Sequence, residues 1–198
     1  MREGREASAW KDELFGCVYK LFDLRTDGSL GMKLTISMID EYECRVEYAK
    51  ATITDVLTRQ CTTHKAGACP TEIVGLSESC DYLICKQPFC DDYVSLEDDK
   101  HSAAENMKAV RPTGTYGADV WLYWIDDKAW ILGDLHKGNI RRLHGSIPTV
   151  IDCLVGEVPL EVMTKHAAIG RAIMRAKEWR KGNKPKPERS LTSSFPLL

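Results

Sequence analysis

The segment 130–140, WILGDLHKGNI, constrains the fold of this chain more than any other stretch. The apolar run 129–132 leads directly into a glycine-punctuated loop that carries Asp134, His136 and Asn139. A short apolar run of this kind is typical of a buried strand, and glycines indicate a loop at its end. The segment therefore predicts a strand that delivers several polar side chains to one place at the edge of a core.

The first ninety residues predict two hairpins around a helix. The runs GREASAW (4–10) and FGCVYKLFDL (15–24), joined by KDEL, have the aromatic and β-branched content of paired strands. TEIVGL and DYLICKQPF, separated by SESC, predict a second hairpin. Between the two hairpins, residues 35–60 contain no glycine or proline, and their apolar residues recur at roughly helical spacing, which predicts one long helix.

The second half predicts further hairpins and a helix. Residues 91–119 are acidic and irregular, with one helical patch around 103–110. VWLYWI pairs with AWIL, and IRRL pairs with PTVID, in two predicted hairpins. An apolar stripe marks a helix over 160–181. We therefore divide the chain into 1–90, 91–181 and a basic, proline- and serine-rich tail, 182–198, which we expect to be disordered.

Charge and hydropathy exclude several classes of protein. The 198 residues carry 27 basic and 29 acidic side chains, spread fairly evenly, so no global field favours nucleic acid or an anionic membrane as partner. No run approaches the length of a bilayer span, and the charged start MREGREASAWKDE lacks the apolar core of a signal peptide. We expect a cytoplasmic protein.

The eight cysteines are expected to be free and mostly buried thiols. A disulfide scaffold would need an export signal and a shorter chain. A zinc site at Cys61, His64, Cys69 and Cys80 is the alternative, but these spacings contain no C-x-x-C pair.

The loop after the apolar run has the form D-x-x-x-x-N, from Asp134 to Asn139, and a second acid, Asp152, follows thirteen residues later. Two short strands with a turn at Gly145 would return Asp152 to the side of Asn139. Mg²⁺ needs only one or two protein carboxylates plus carbonyl-type oxygens, so Asn139 and Asp152 suit it as ligands. Asp134 then suits the base that accepts a proton from an acceptor hydroxyl. A helix cap and a turn residue are the structural alternatives for Asp134 and Asn139.

These motifs resemble those of the protein-kinase-like phosphotransferases. GDLHKGNI followed by VID is similar to their catalytic loop and metal-binding aspartate, and most similar to the aminoglycoside and choline-type kinases. GREASAW with VYKLFDL, and PTEIVGL with LICKQPF, resemble the kinase domain of bacterial polyvalent proteins carried by phages and conjugative elements. The resemblance covers roughly residues 4–159. It implies a small α+β, protein-kinase-like two-lobed fold: a β-rich first lobe with one long helix, and a reduced, mostly helical second lobe.

The resemblance also implies roles for individual residues. Asp134 is the catalytic base, and Asn139 and Asp152 are the Mg²⁺ ligands. Lys20, in VYKLF, matches the lysine that holds the ATP phosphates, although a lysine on a strand is often simply solvated. The segment from Gln87 to Phe89 matches the hinge beside adenine.

The partner of that lysine is expected to be a glutamate on the long helix. Glu41, Glu43 and Glu47 all compete for the role. Glu43 is preferred because it lies four residues beyond Ile39 and would share its helical face.

The implied activity is ATP- and Mg²⁺-dependent transfer of phosphate to a hydroxyl on a protein or small molecule. Three departures weaken it: no G-x-G-x-x-G occurs, with only Gly4 near the start, LGD replaces HRD or HGD, and DCL replaces DFG. They favour, as an alternative, a pseudokinase that binds a nucleotide or a partner without chemistry. The histidine-containing loop suggests a further alternative, an aminoglycoside-like small-molecule kinase. The first strand lies so close to Met1 that an origin in a longer multidomain protein is also open.

Overall fold

A computed structural model describes residues 2–3, 7–25, 30–40, 42–91, 97–116, 118–143 and 147–185. The elements in chain order are β1 (Arg2–Glu3), β2 (Ser8–Asp12), β3 (Cys17–Asp23), β4 (Met32–Met38), β5 (Cys44–Lys50), α1 (Ile53–Ala66), β6 (Glu72–Leu76), β7 (Tyr82–Pro88), α2 (Glu97–Asn106), β8 (Trp121–Ile125), β9 (Lys128–Gly133), β10 (Ile140–Leu143), β11 (Ile147–Val150), β12 (Leu154–Glu157), α3 (Leu160–Lys165) and α4 (Ala167–Arg180). The α+β class is confirmed.

Both hairpins predicted for the first ninety residues are confirmed, and together they form one antiparallel sheet. Its strand order is β1-β2-β3-β7-β6. Phe22 from β3, Leu83 and Cys85 from β7 and Val56 from α1 are buried together, so this sheet packs on the helix. Burying such apolar side chains is the main favourable term that holds the two layers together.

The predicted long helix over residues 35–60 is wrong. The chain forms the antiparallel pair β4–β5 instead, and α1 begins only at Ile53. Leu34 and Ile36 are buried on β4, as are Cys44 and Val46 on β5, and this period of two belongs to a strand. The apolar residues that suggested one helix therefore belong to two strands and to the start of α1.

The start of α1 is marked by a capping box. The Thr52 hydroxyl accepts a hydrogen bond from the Asp55 amide, and the Asp55 carboxylate accepts one from the Thr52 amide. Reciprocal bonds of this kind satisfy backbone donors that the first helical turn leaves open. The local sequence therefore sets this boundary.

A three-stranded antiparallel sheet of order β12-β9-β8 lies at the centre of the second half. Its side chains alternate between two cores: Leu122 and Ile131 pack into one, and Tyr123 and Leu132 into the other. The first core also contains the β4–β5 hairpin and α4, and the second contains α2 and the end of α1. Strands that are buried on both faces have nearly continuous apolar sequences, and β8 and β9 are of this kind.

Gly156 on β12 allows the β4–β5 hairpin to approach this sheet. A Cβ atom at Gly156 would lie 1.9 Å from the carbonyl oxygen of Leu34, closer than any real contact. The backbones of β4 and β12 therefore meet at a point that only glycine permits. In this way a hairpin from the first ninety residues becomes part of the core of the second half.

The second half is less helical than predicted. The hairpins β8–β9 and β10–β11 are confirmed, and β12 adds a strand that the sequence did not indicate. The helix predicted over 160–181 is two helices, because His166 between α3 and α4 has an extended backbone. None of the described helices is long and apolar enough to cross a bilayer. Most of the predicted tail, residues 186–198, lies outside the described part of the chain.

Candidate functional site

The loop after β9 closes on itself through Asn139. Its side-chain amide donates to the Asp134 carbonyl oxygen at 2.8 Å and to Asp134 Oδ2 at 3.1 Å. Its backbone amide donates to the His136 carbonyl at 2.9 Å. Asp134 itself has a φ of 61°, a left-handed conformation that aspartate tolerates better than most residues. The D-x-x-x-x-N spacing therefore produces one compact turn with both polar side chains in contact.

His136 supports the loop. Its Nδ1 accepts a hydrogen bond from the Gly138 amide at 2.9 Å, and its Nε2 lies 3.9 Å from Asp134 Oδ1. A Cβ at Gly138 would lie 2.6 Å from the imidazole ring, so a larger residue at that position would displace the His136 side chain.

The β10–β11 hairpin returns the chain to the same loop. Ile140 pairs with Val150, and the Ile151 amide donates to the Asn139 carbonyl at 2.9 Å. Asp152 follows immediately. Its Oδ1 accepts the Cys153 amide at 3.0 Å, and its side chain is 41% exposed. The two short strands thus bring the Asp152 segment back beside Asn139.

Lys20 reaches this segment from the other sheet. Its ammonium donates to the Ile151 carbonyl at 2.9 Å and lies 3.6 Å from Asp152 Oδ2, and its side chain is only 13% exposed. The lysine is on β3, opposite Cys85 of β7. A buried lysine stem with its head group at a carboxylate is a fixed positive charge rather than a solvated surface lysine. The five-stranded sheet and the Asp152 segment, which lies beside the loop after β9, therefore meet at this ion pair.

The pKa of the Cys153 thiol also reflects the closeness of Lys20, Asp134 and Asp152. Burial, with a smaller contribution from the Asp152 carboxylate, raises the pKa of this thiol to about 12. The charges of Lys20 and Asp134 also act on this pKa, Lys20 lowering it and Asp134 raising it. One buried thiol therefore lies within the electrostatic reach of all three charged groups.

Glu43 does not take the position predicted for it. It lies in the turn between β4 and β5, where its amide donates to Asp40 Oδ1 at 2.9 Å, and not on a helix. The assignment depended on the long helix that the chain does not form. The ion pair that the structure gives Lys20 is with Asp152. Of the competing glutamates, Glu47 lies on β5, and residue 41 lies outside the described part of the chain.

Of the two predicted hinge residues, Gln87 lies beside the ion pair, whereas Phe89 contacts the β2–β3 turn. Gln87 is 6% exposed, and its amide nitrogen donates to the Thr71 hydroxyl at 2.7 Å and to the Ile151 carbonyl at 3.2 Å. The Phe89 amide donates to the Gly16 carbonyl at 2.8 Å. Gln87 thus helps Lys20 to hold the Ile151 carbonyl, and Phe89 ties the segment after β7 to the β2–β3 turn.

A narrow cavity of about 10 Å³ lies behind these groups and is lined by Arg59, Thr71, Gln87 and Asp152 among others. This volume is about what one water molecule needs. The cavity itself therefore has no room for a nucleotide.

Asn139 and Asp152 are the side chains that could hold a metal ion here. The amide nitrogen of Asn139 is engaged by Asp134, so its Oδ1 is the atom it can offer. Within the described ranges, no three His, Cys, Asp or Glu side chains come together. Mg²⁺ needs no such cluster, since water and phosphate complete its shell.

The zinc alternative finds no support in the positions of its residues. Cys61 and Cys80 are exposed, and the Cys69 thiol faces Cys90. His64 accepts the Thr71 amide through Nδ1 at 3.0 Å.

Sequence reasoning missed the group at which these contacts meet, the Ile151 carbonyl. A backbone acceptor leaves no signature in residue identity. It also missed Arg59 of α1, a buried arginine whose guanidinium lies 3.5 Å from the Cys153 carbonyl, because α1 was hidden inside the wrong helix prediction. No protein-family model matches this chain, and neither a curated protein nor a solved structure matches it.

Proposed function

We propose that this chain is an ATP- and Mg²⁺-dependent phosphotransferase that transfers the γ-phosphate to a hydroxyl acceptor on a protein. One observation carries the proposal. Lys20 lies 3.6 Å from Asp152, and the same segment is hydrogen-bonded to the Asn139–Asp134 loop. Phosphoryl transfer is mostly positioning and charge stabilisation, and these groups supply a cation, two oxygen ligands and a proton acceptor in one place.

Lys20 would hold the nucleotide phosphates. An ammonium has three donors, and the Ile151 carbonyl takes one of them. The hydrogen bond from Gln87 to the same carbonyl keeps that acceptor in place. The lysine head group is therefore pre-positioned before a ligand arrives.

Asn139 and Asp152 would hold Mg²⁺ through Oδ1 of the amide and the exposed carboxylate. When bound, the ion would neutralise negative charge on the phosphates. The hydrogen bond between the Ile151 amide and the Asn139 carbonyl fixes the backbones that carry the two ligands.

Asp134 would orient the acceptor hydroxyl and take its proton. Its Oδ2 accepts the Asn139 amide, which fixes the carboxylate plane, and its side chain is 43% exposed. A general base must be reachable by substrate and held in one orientation, and Asp134 meets both conditions.

The direct test is Asp134→Asn, with Asp127→Asn as matched control. Asp127 also has a positive φ, 57°, in an exposed turn, so the two substitutions make the same backbone demand. We expect Asp134→Asn to reduce transfer of labelled phosphate by about 10²–10⁴-fold, while binding of MgATP survives. Intact-mass measurement of autophosphorylation would report a protein acceptor. Undiminished transfer by Asp134→Asn, or equal loss in both variants, would refute the assignment.

A pseudokinase is the second candidate, and α1 supplies the observation that favours it. None of its fourteen residues is a glutamate. Its one acid, Asp55, is engaged by Thr52 and by Lys33 at 3.0 Å. The Lys–Glu pair that the resemblance implies is therefore not made by this helix. Stabilisation by MgATP without turnover across many acceptors would support this candidate.

A further inference from the structure

Two thiols that the proposed chemistry does not use lie side by side next to the site. Cys69 Sγ and Cys90 Sγ are 3.7 Å apart, although 21 residues separate them in the chain. Cys69 is buried in the loop after α1, and Cys90, just beyond β7, is partly exposed. The fold, rather than local sequence, brings them together.

Both thiols are anchored to the β10–β11 hairpin. The Cys69 amide donates to the Val150 carbonyl at 2.8 Å, and the amide of Asp91, next to Cys90, donates to the Arg142 carbonyl at 3.0 Å. The sulfurs of a disulfide lie about 2.05 Å apart, so closing the 3.7 Å gap needs an approach of about 1.7 Å.

We propose that Cys69 and Cys90 form an oxidisable pair, a modification site at which a hydroperoxide converts the two thiols to an intramolecular disulfide. In the first step the Cys90 thiolate attacks a peroxide oxygen, the O–O bond breaks, hydroxide leaves and is protonated to water, and Cys90 becomes a sulfenic acid. In the second step the Cys69 sulfur attacks the Cys90 sulfur, and the hydroxyl group leaves with the thiol proton as water. Two thiols and one hydrogen peroxide thus give one disulfide and two waters.

The environment makes Cys90 the attacking group. The hydrogen bond with the Cys69 thiol lowers the pKa of Cys90, and the positive charges of Lys20 and Arg141 lower it further, against the opposing effects of burial and Asp91. The same hydrogen bond raises the pKa of Cys69, and burial adds to this rise. The more exposed thiol is therefore also the one more readily ionised, which is the property of a peroxide-sensitive cysteine.

The disulfide would join the loop after α1 to the segment after β7. Thr71 lies in that loop and Gln87 lies near the end of β7, and the two side chains are hydrogen-bonded to each other beside Lys20. Oxidation would therefore change the position of Gln87 and weaken nucleotide binding, a consequence that rests on the proposed function. The formation of the disulfide does not rest on it.

The test uses the full chain with the two exposed cysteines replaced, Cys61→Ser and Cys80→Ser, which removes the thiols most open to intermolecular exchange. The protein is treated with hydrogen peroxide, quenched in acid, unfolded and alkylated, and its intact mass is measured. We expect two thiols to become resistant to alkylation, a cross-linked peptide joining residues 69 and 90, and full recovery after dithiothreitol.

Single substitutions in this background separate the two roles. With Cys69→Ser, Cys90 should stop at the sulfenic acid and be trapped by dimedone. With Cys90→Ser, neither adduct nor disulfide should form.

The proposal is overturned if both thiols remain alkylatable after a peroxide treatment that oxidises a cysteine peptide. It is equally overturned if the cross-link joins other residues, or if Cys90→Ser still loses two thiols. The readout is thiol mass, so its failure leaves the phosphotransfer proposal intact, and failure of transfer leaves the thiol chemistry intact.

Discussion

Replacing Lys20 with methionine removes the positive charge of the candidate site while keeping a side chain of similar length. The ammonium of Lys20 touches the Ile151 carbonyl and Asp152 Oδ2, and its stem is buried on β3. Methionine fills irregular apolar space well, so the packing of the sheet should survive the change. The substitution therefore separates the charge of Lys20 from its volume.

The cost to the free protein should be small. At the observed 3.6 Å and an effective dielectric constant of about 20, the two charges attract by about 4–5 kcal/mol. Asp152 is 41% exposed, so solvent screening and the desolvation of both groups reduce the net contribution to about 1 kcal/mol. For a chain of this size, that corresponds to a fall in Tm of about 2–4 °C.

The cost to ligand binding should be larger. MgATP at 100 times its Kd stabilises the native chain by about 2.7 kcal/mol, or about 5–10 °C in Tm. A hydrogen bond to a charged group contributes about 1.5–3 kcal/mol, so its loss raises the Kd by about 10–100-fold. At the same MgATP concentration, the shift should fall to about half or less of the native value.

Thermal unfolding with and without MgATP measures both effects in one experiment. Lys128→Met is the matched control, because Lys128 also pairs with a carboxylate across two strands, Glu157 at 2.8 Å, but on an exposed surface. We expect this control to keep the full shift. A full shift in Lys20→Met, or an equal loss in Lys128→Met, would show that Lys20 does not contact the phosphates.

Two further predictions concern the scaffold. Gly156→Ala should destabilise the chain by about 3 kcal/mol or more, because the new Cβ would lie 1.9 Å from the Leu34 carbonyl oxygen. Urea unfolding measures this loss of stability. A loss smaller than that of the exposed neighbour Glu157→Ala would contradict the backbone contact. Asp55→Ala should cost about 1–2 kcal/mol at neutral pH through loss of the α1 cap. Burial raises the pKa of Asp55, but hydrogen bonds from Thr52 together with the hydrogen bond and charge of Lys33 outweigh it, so the net pKa is lowered. The Asp55 carboxylate therefore stabilises the folded chain fully above the unfolded pKa of about 3.9, and this stabilisation is lost as the pH falls below that value. A difference in unfolding free energy between the native chain and the variant that persists at low pH would contradict this sign.

Local sequence was sufficient to predict the hairpins but not the element between them. β7 alternates between buried and half-buried residues, β3 is rich in aromatic and β-branched side chains, and turn residues lie beside each, so both strands were found. The turn between β4 and β5 contains no glycine or proline. It is made by Asp40, whose Oδ1 accepts the amides of Tyr42 and Glu43 at 2.8 and 2.9 Å. An aspartate that bonds backbone amides two and three residues ahead is a turn signal, and the helical spacing of apolar residues concealed it.

The candidate site was partly predictable for a related reason. The spacing of Asp134, Asn139 and Asp152 follows from one loop and one hairpin, which are local features. The contact of Gln87 and Lys20 with the Ile151 carbonyl depends instead on how the five-stranded sheet meets the second half. Tertiary contacts to a backbone atom have no pattern in the sequence.

The central claim is that a divalent cation binds with ATP between Asn139 and Asp152, opposite Lys20. Mn²⁺ prefers the same oxygen ligands as Mg²⁺ and, being paramagnetic, broadens the NMR signals of nearby amides. We expect substoichiometric Mn²⁺ with ATP to broaden the amide signals of Asn139, Asp152 and Cys153 in the ¹⁵N-labelled chain first, and Asp152→Asn to abolish the effect. If those three signals keep their intensity while signals elsewhere broaden, or if Asp152→Asn leaves the broadening unchanged, the claim is wrong.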